Sequence, residues 1–92
     1  MDKPFNRPGE AARCGLARML LRLPASQREA LRLAANGRPL LDEMLGAYEE
    51  ACLALERFRK EANAEPTLVD EYEELCEELE GDVMREVFGA RR

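Results

Sequence analysis

The sequence predicts an all-α fold, and three observations carry the prediction. The 92 residues include no Trp and no Ile, and Thr67, Val69, Val83 and Val87 are the only other β-branched side chains. Strands draw on β-branched and aromatic residues, so little here would build a sheet. Leu, Ala, Glu and Arg dominate instead, and these keep their side-chain freedom in a helix. Apolar residues also recur every three or four positions between Pro and Gly punctuation, which is helical spacing. The expected architecture is a small helical bundle built on a long antiparallel αα-hairpin (about 39–62 and 68–88), with two short N-terminal helices (about 10–23 and 25–35) covering its open apolar face.

Residues 1–9 are polar, carry Pro4 and Pro8, and are expected to form a flexible arm ahead of a single domain over 10–92. The first helix places Ala12, Leu16, Met19, Leu20 and Leu23 on one stripe. Gly15 weakens it locally, and Pro24 ends it by disfavouring helix in the residue before it. The second helix stops at Asn36-Gly37, two residues that tolerate a left-handed backbone. Pro39 opens the third, where a missing N–H costs nothing. Leu40, Leu41, Met44, Tyr48, Ala51, Cys52, Leu55 and Phe58 share one side of it, with Leu45 at the margin. Leu53 falls on the opposite side among Asp42, Glu49, Glu56 and Lys60, and is an exposed apolar contact candidate. Asn63 to Pro66 is a break, and Thr67 is expected to cap the fourth helix with Asp70 in the capping-box position. That helix carries Leu68, Val69, Tyr72, Leu75, Cys76, Leu79, Val83 and Val87 on one face and continues through Gly81. Apolar steps alternate four and three in Leu41, Leu45, Tyr48, Cys52 and Leu55, and in Tyr72, Cys76, Leu79 and Val83, as in a coiled coil. Ala90-Arg91-Arg92 is a basic tail near the last helix's C-terminus, where positive charge is favourable.

A chain of this length buries only about 60–65% of the surface its unfolded form exposes. Its core is thin, and a homodimer is expected to cover what is left over. No segment reaches the ~18 apolar residues that span a bilayer, and residues 1–9 lack the pattern of a signal peptide. No membrane association and a cytoplasmic location are the expectations. Cys14, Cys52 and Cys76 are odd in number and far apart in sequence, and the chain has no histidine. Buried thiols in a reducing compartment are therefore expected rather than a disulfide framework or a zinc site.

Net charge is −5, unevenly spread: residues 1–40 hold eight Lys/Arg and three Asp/Glu, and residues 41–92 hold six and sixteen. Such asymmetry points to a charged partner, or to attraction between the two halves. Arg18/Arg22 and Arg28/Arg32 are (i, i+4) pairs, each sharing a helix face. They suit a grip on phosphate or closure onto the acidic hairpin, and closure needs no ligand. The fourth helix carries Asp70, Glu71, Glu73, Glu74, Glu77, Glu78, Glu80 and Asp82 with no basic residue among them. This rod of carboxylates suits either a solvated face or a phosphate mimic that enters a Lys/Arg-lined groove on another protein.

Two stretches resemble known families. Leu23-Pro24-Ala25-Ser26-Gln27-Arg28-Glu29-Ala30-Leu31-Arg32-Leu33 resembles the opening of the helix-turn-helix domain of bacterial sigma factors, which implies DNA binding. The resemblance ends there, because residues 39–62 form one long helix with acidic Asp42, Glu43, Glu49 and Glu50 where a groove-reading helix would sit. Glu73-Glu74-Leu75-Cys76-Glu77 is similar to the first carboxylate motif of the MazG-like nucleotide pyrophosphohydrolases, which implies Mg²⁺ binding. The second motif, Glu-x-x-Asp, is missing: Leu79 stands three residues before Asp82. Without histidine, and with one serine and one threonine, no nucleophile–base pair of the usual kind exists, and the Glu-x-x-His pairs of a di-iron bundle are absent.

The functional expectation is a small acidic helical protein–protein interaction module, not an enzyme and without cofactor or metal. It would act as an inhibitor, adaptor or regulator on a partner with a basic surface. By size and charge alone it is similar to phage-type inhibitors of host nucleic-acid-handling machines, anti-CRISPR proteins among them. The alternatives are a nucleic-acid-associated regulator using Arg18, Arg22, Arg28 and Arg32, and a Mg²⁺-dependent nucleotide hydrolase.

Overall fold

A computed structural model of the chain describes residues 9–61, 63 and 65–89. They form four helices and no strand: α1 (Glu10–Arg22), α2 (Ala25–Ala35), α3 (Pro39–Lys60) and α4 (Pro66–Phe88). The all-α prediction holds. The N-terminal arm, apart from Gly9, and the Ala90-Arg91-Arg92 tail lie outside the described residues.

Local chemistry sets the boundaries. Gly9 takes a left-handed backbone, φ 81°, at the start of α1, which its lack of a Cβ permits. Leu23, the residue before Pro24, is extended and closes α1, as the proline requires. The Arg28 Nε then donates to the carbonyls of both Leu20 and Leu23, each at 3.0 Å, and so covers the open end of α1. Asn36 ends α2 and Gly37 follows in the left-handed region at φ 76°.

The start of α4 differs from the expectation. Pro66, not Thr67, opens the helix, and Glu65 stands at the cap without a side-chain bond. The Glu65 carbonyl accepts the Leu68 and Val69 N–H groups at 3.0 and 3.2 Å. Proline's fixed φ suits the first helical position, which moves the start ahead of Thr67 and removes the capping role. α4 then runs through Gly81 without interruption.

The packing is centred on α3. α4 lies along one flank, and from Arg59–Glu73 and Phe58–Tyr72 at one end to Arg38–Glu86 at the other the pairs descend one helix as they climb the other. The two are therefore antiparallel. α1 packs along the adjoining flank of α3 at least as extensively and reaches α4 through Arg22–Glu80. α2 touches each of the other three helices lightly, anchored by a fully buried Leu31.

Two flanks covered on one helix explain the departures from the expected α3 stripe. Buried positions are Leu41, Leu45, Tyr48, Glu49, Ala51, Cys52 and Leu55, an arc of roughly half the wheel at about 100° per residue. Leu45, expected at the margin, is fully buried. Leu40, expected inside, is exposed, and so to a lesser degree is Leu75 on α4. Leu53, expected as an exposed contact, is half-buried. It stands one turn beyond Glu49 on the flank that α1 covers.

α1 and α3 approach closely at Gly15. An ideal Cβ on Gly15 would lie 2.1 Å from the carbonyl oxygen of Leu45. Any side chain there would have to displace backbone, so this glycine sets the distance between the two helices.

Candidate functional site

Two arginines of α1, Arg18 and Arg22, close onto the hairpin, while Arg13 on the same helix is exposed. Arg18 grips Glu49 through two parallel bonds, Nε to Oε1 at 2.8 Å and Nη2 to Oε2 at 3.1 Å, and reaches Glu56 with Nη1 at 2.7 Å. Glu49 is only 5% exposed. A carboxylate with so little water needs such a two-pronged cationic partner. These bonds, the one to Glu49 foremost, stabilise the guanidinium charge and raise the Arg18 pKa. Arg22 reaches across to α4, with Nε 2.9 Å from Glu80 Oε2, and that bond raises its pKa too.

Arg28 and Arg32 serve locally. Arg28 covers the end of α1, and Arg32 pairs with Glu29 one turn back at 3.0 Å. The four arginines proposed as a basic face are thus divided among three tasks, two of them internal to the fold.

Between α1, α3 and α4 lies an open cleft of about 520 Å³. Its rim carries Arg18, Arg22 and Arg59 against Glu56, Glu73, Glu77 and Glu80, and its floor carries Tyr48, Cys52 and Cys76. Charges of both signs face it and pair across it, so it is not a dedicated anion or cation pocket. Cys52 of α3 and Cys76 of α4 meet at this floor. Burial, with Cys52 beside it, pushes the Cys76 thiol up to about 12. The Tyr48 hydroxyl is also raised, by burial first and then by Cys52. Among the described residues no buried side-chain polar atom lacks a hydrogen-bond partner.

The eight carboxylates of α4 fall into two groups. Glu73, Glu80 and Asp82 are tied to Arg59, Arg22 and Arg85. Asp70, Glu71, Glu74, Glu77 and Glu78 are exposed and have no ion-pair partner among the described residues. Glu77 sits at the boundary, exposed yet on the cleft rim.

The two resemblances meet this geometry differently. The sigma-like stretch forms α2, but α3 follows as one helix of 22 residues, so the second short helix of that motif does not exist here. In the MazG-like triplet, Glu73 is committed to Arg59 while Glu74 and Glu77 face solvent. No group of three potential ligands converges among the described residues. No described helix is long and apolar enough to cross a membrane.

Two features were missed in the sequence. Glu49 was assigned to the solvent side, and the Cys52–Cys76 contact was not anticipated. Both depend on which helices flank α3. The one available signal is the Arg18/Arg22 pair on one face of α1, which suits closure onto carboxylates of the hairpin. No family model, curated protein or solved structure matches the chain.

Proposed function

We propose that the protein is a protein–protein interaction module that presents the outer face of α4 to a partner with a basic surface, acting as an inhibitor, adaptor or regulator. The supporting observation is the sorting of charge. Arg18 and Arg22 of α1 are engaged inside the fold, while five carboxylates within nine residues of α4 keep no ion-pair partner among the described residues. A helix rises about 1.5 Å per residue, so these charges form a short negative rail of the kind that steers a basic surface and fits a groove built for phosphates. An inhibitor of a nucleic-acid-handling machine, phage-type included, is the form of this reading that size and charge favour. The reading places the protein in the cytoplasm, where its free thiols persist.

The test is capture from a lysate of the source organism with two baits, wild type and Glu74→Lys/Glu78→Lys. The expected result is one stoichiometric protein held by the wild type at low salt, released at high salt, and held at least about tenfold more weakly by the variant at unchanged helicity. Equal retention by both baits would overturn the reading. Retention of duplex DNA instead would move the function to the arginine-bearing helices, a reading weakened by the engagement of Arg18, Arg22 and Arg28. A homodimer belongs to the same proposal. It is supported by Leu21, Leu33 and Leu40, which remain 83%, 66% and 54% exposed.

A further inference from the structure

Cys52 on α3 and Cys76 on α4 face each other across the seam between the two helices. They lie between the Arg59–Glu73 and Arg38–Glu86 pairs, in the same antiparallel register, and line one cleft. Both are buried from the bulk, yet both line the floor of the cleft that opens between α1, α3 and α4. Most buried thiols in a core are isolated and inert. These two are paired and sit beneath an opening of about 520 Å³, which admits a small uncharged molecule.

We propose that Cys52 and Cys76 form an oxidation site for small peroxides, and that its product is a disulfide stapling α3 to α4. The chemistry balances in two steps. The Cys52 sulfur attacks one peroxide oxygen, the O–O bond breaks, and a sulfenic acid and one water result. The Cys76 sulfur then attacks the sulfenic sulfur, an S–S bond forms, and the hydroxyl leaves as a second water with the remaining thiol proton. Two electrons pass from the thiol pair to one hydrogen peroxide. Arg18 and Arg59 stand near enough to act electrostatically on Cys76, and Arg18 and Arg22 are near Cys52. They favour the transient negative charge on sulfur that each step needs. A disulfide here closes a loop of about 25 residues that already folds back on itself, so oxidation tightens the existing arrangement. Cys14, half-buried on α1, has no part in it.

The proposal is independent of the acidic-face reading and is tested without a partner. Reduced full-length protein is treated with one equivalent of hydrogen peroxide, then analysed by thiol titration, intact mass and non-reducing tryptic mapping. The expected outcome is loss of two thiols and two hydrogens, a peptide linking residues 33–57 to the one holding Cys76, and a melting temperature raised by at least about 10 °C. Dithiothreitol should reverse all of these. Cys14→Ser should behave as the wild type. Cys52→Ala should retain its thiols or over-oxidise, with no linked peptide. Links through Cys14, intermolecular dimers only, or conversion to sulfinic acid without a linked peptide would each overturn the proposal.

Discussion

At the residue scale, two contacts between α1 and α3 decide most. Gly15 and Gly46 are both helical glycines, and helix propensity alone says that replacing either by Ala should help by about 1 kcal/mol. The environments reverse that for one of them. At Gly46 a Cβ would meet Ala11 Cβ at 3.6 Å and Ala12 N at 3.8 Å, ordinary contact distances, so Gly46→Ala should stabilise by up to about 1 kcal/mol. At Gly15 it would strike the Leu45 carbonyl, and Gly15→Ala should cost about 3 kcal/mol as α1 is pushed off α3. Thermal melts of the two variants should move in opposite directions, and a shared direction would refute the close approach. The Arg18–Glu49 pair makes the second test. Glu49→Ala leaves a guanidinium facing the core with only Glu56 for company, and should cost roughly 2–4 kcal/mol. Arg18→Met with Glu49→Leu removes both charges at similar volume and should recover most of that loss. A double variant no better than Glu49→Ala would show that the pair specifies the docking of α1 beyond its own energy.

At the element scale, the sequence was most legible where chemistry is local. Pro24, Asn36-Gly37 and Pro39 mark their boundaries through backbone effects confined to a residue or two, and those boundaries fall within one residue of the expectation. It was least legible where the answer depends on which helix lies beside which. The α3 periodicity showed one apolar side, but it could not show that α1 would take the adjoining flank and bury Glu49 and half of Leu53. Charge pattern failed there for a physical reason: a glutamate bound by an arginine 31 residues earlier looks the same in sequence as a solvated one. Between α3 and α4 the seam carries a pH signature. The folded-state pKa of Cys76 is about 12 against an ordinary 9.0, and Tyr48 is raised as well. Both groups stay protonated in the folded state at pH values where the unfolded chain ionises them. Their contribution is complete below pH ~9 and is lost as pH rises toward ~12. Melting temperature should therefore fall across that window, and the fall should be shallower in Cys76→Ala. An equal slope in the variant would mean that the seam does not hold the thiol protonated.

At the scale of the whole molecule, the charge asymmetry between the two halves is largely resolved internally. Arg18, Arg22 and Arg38 of the basic half bind Glu49, Glu56, Glu80 and Glu86 of the acidic half. What remains outward is the negative excess of α4. Each exposed pair is worth little, about 0–1 kcal/mol, so their effect lies in aligning α1 more than in holding the fold together. The radius of gyration is 14.0 Å, above the ~12 Å of a compact domain of this length. The elongation leaves apolar surface such as Leu21 uncovered. In sedimentation equilibrium the apparent mass should rise toward twice the monomer's with concentration, and a constant monomer mass through the high-micromolar range would retire the dimer.

The light attachment of α2 has a consequence for the timescales on which parts of the molecule open. Its hold on the rest is Leu31, fully buried, together with the Arg28 clasp on the end of α1. A segment held by so few contacts opens with a free energy well below that of the whole. Its backbone amides should exchange with solvent deuterium long before those of α3, and a protease admitted at this corner would cut the chain between two parts that stay folded. On this account the molecule should open as two cooperative units, a slow three-helix body and a fast short helix on one side of it.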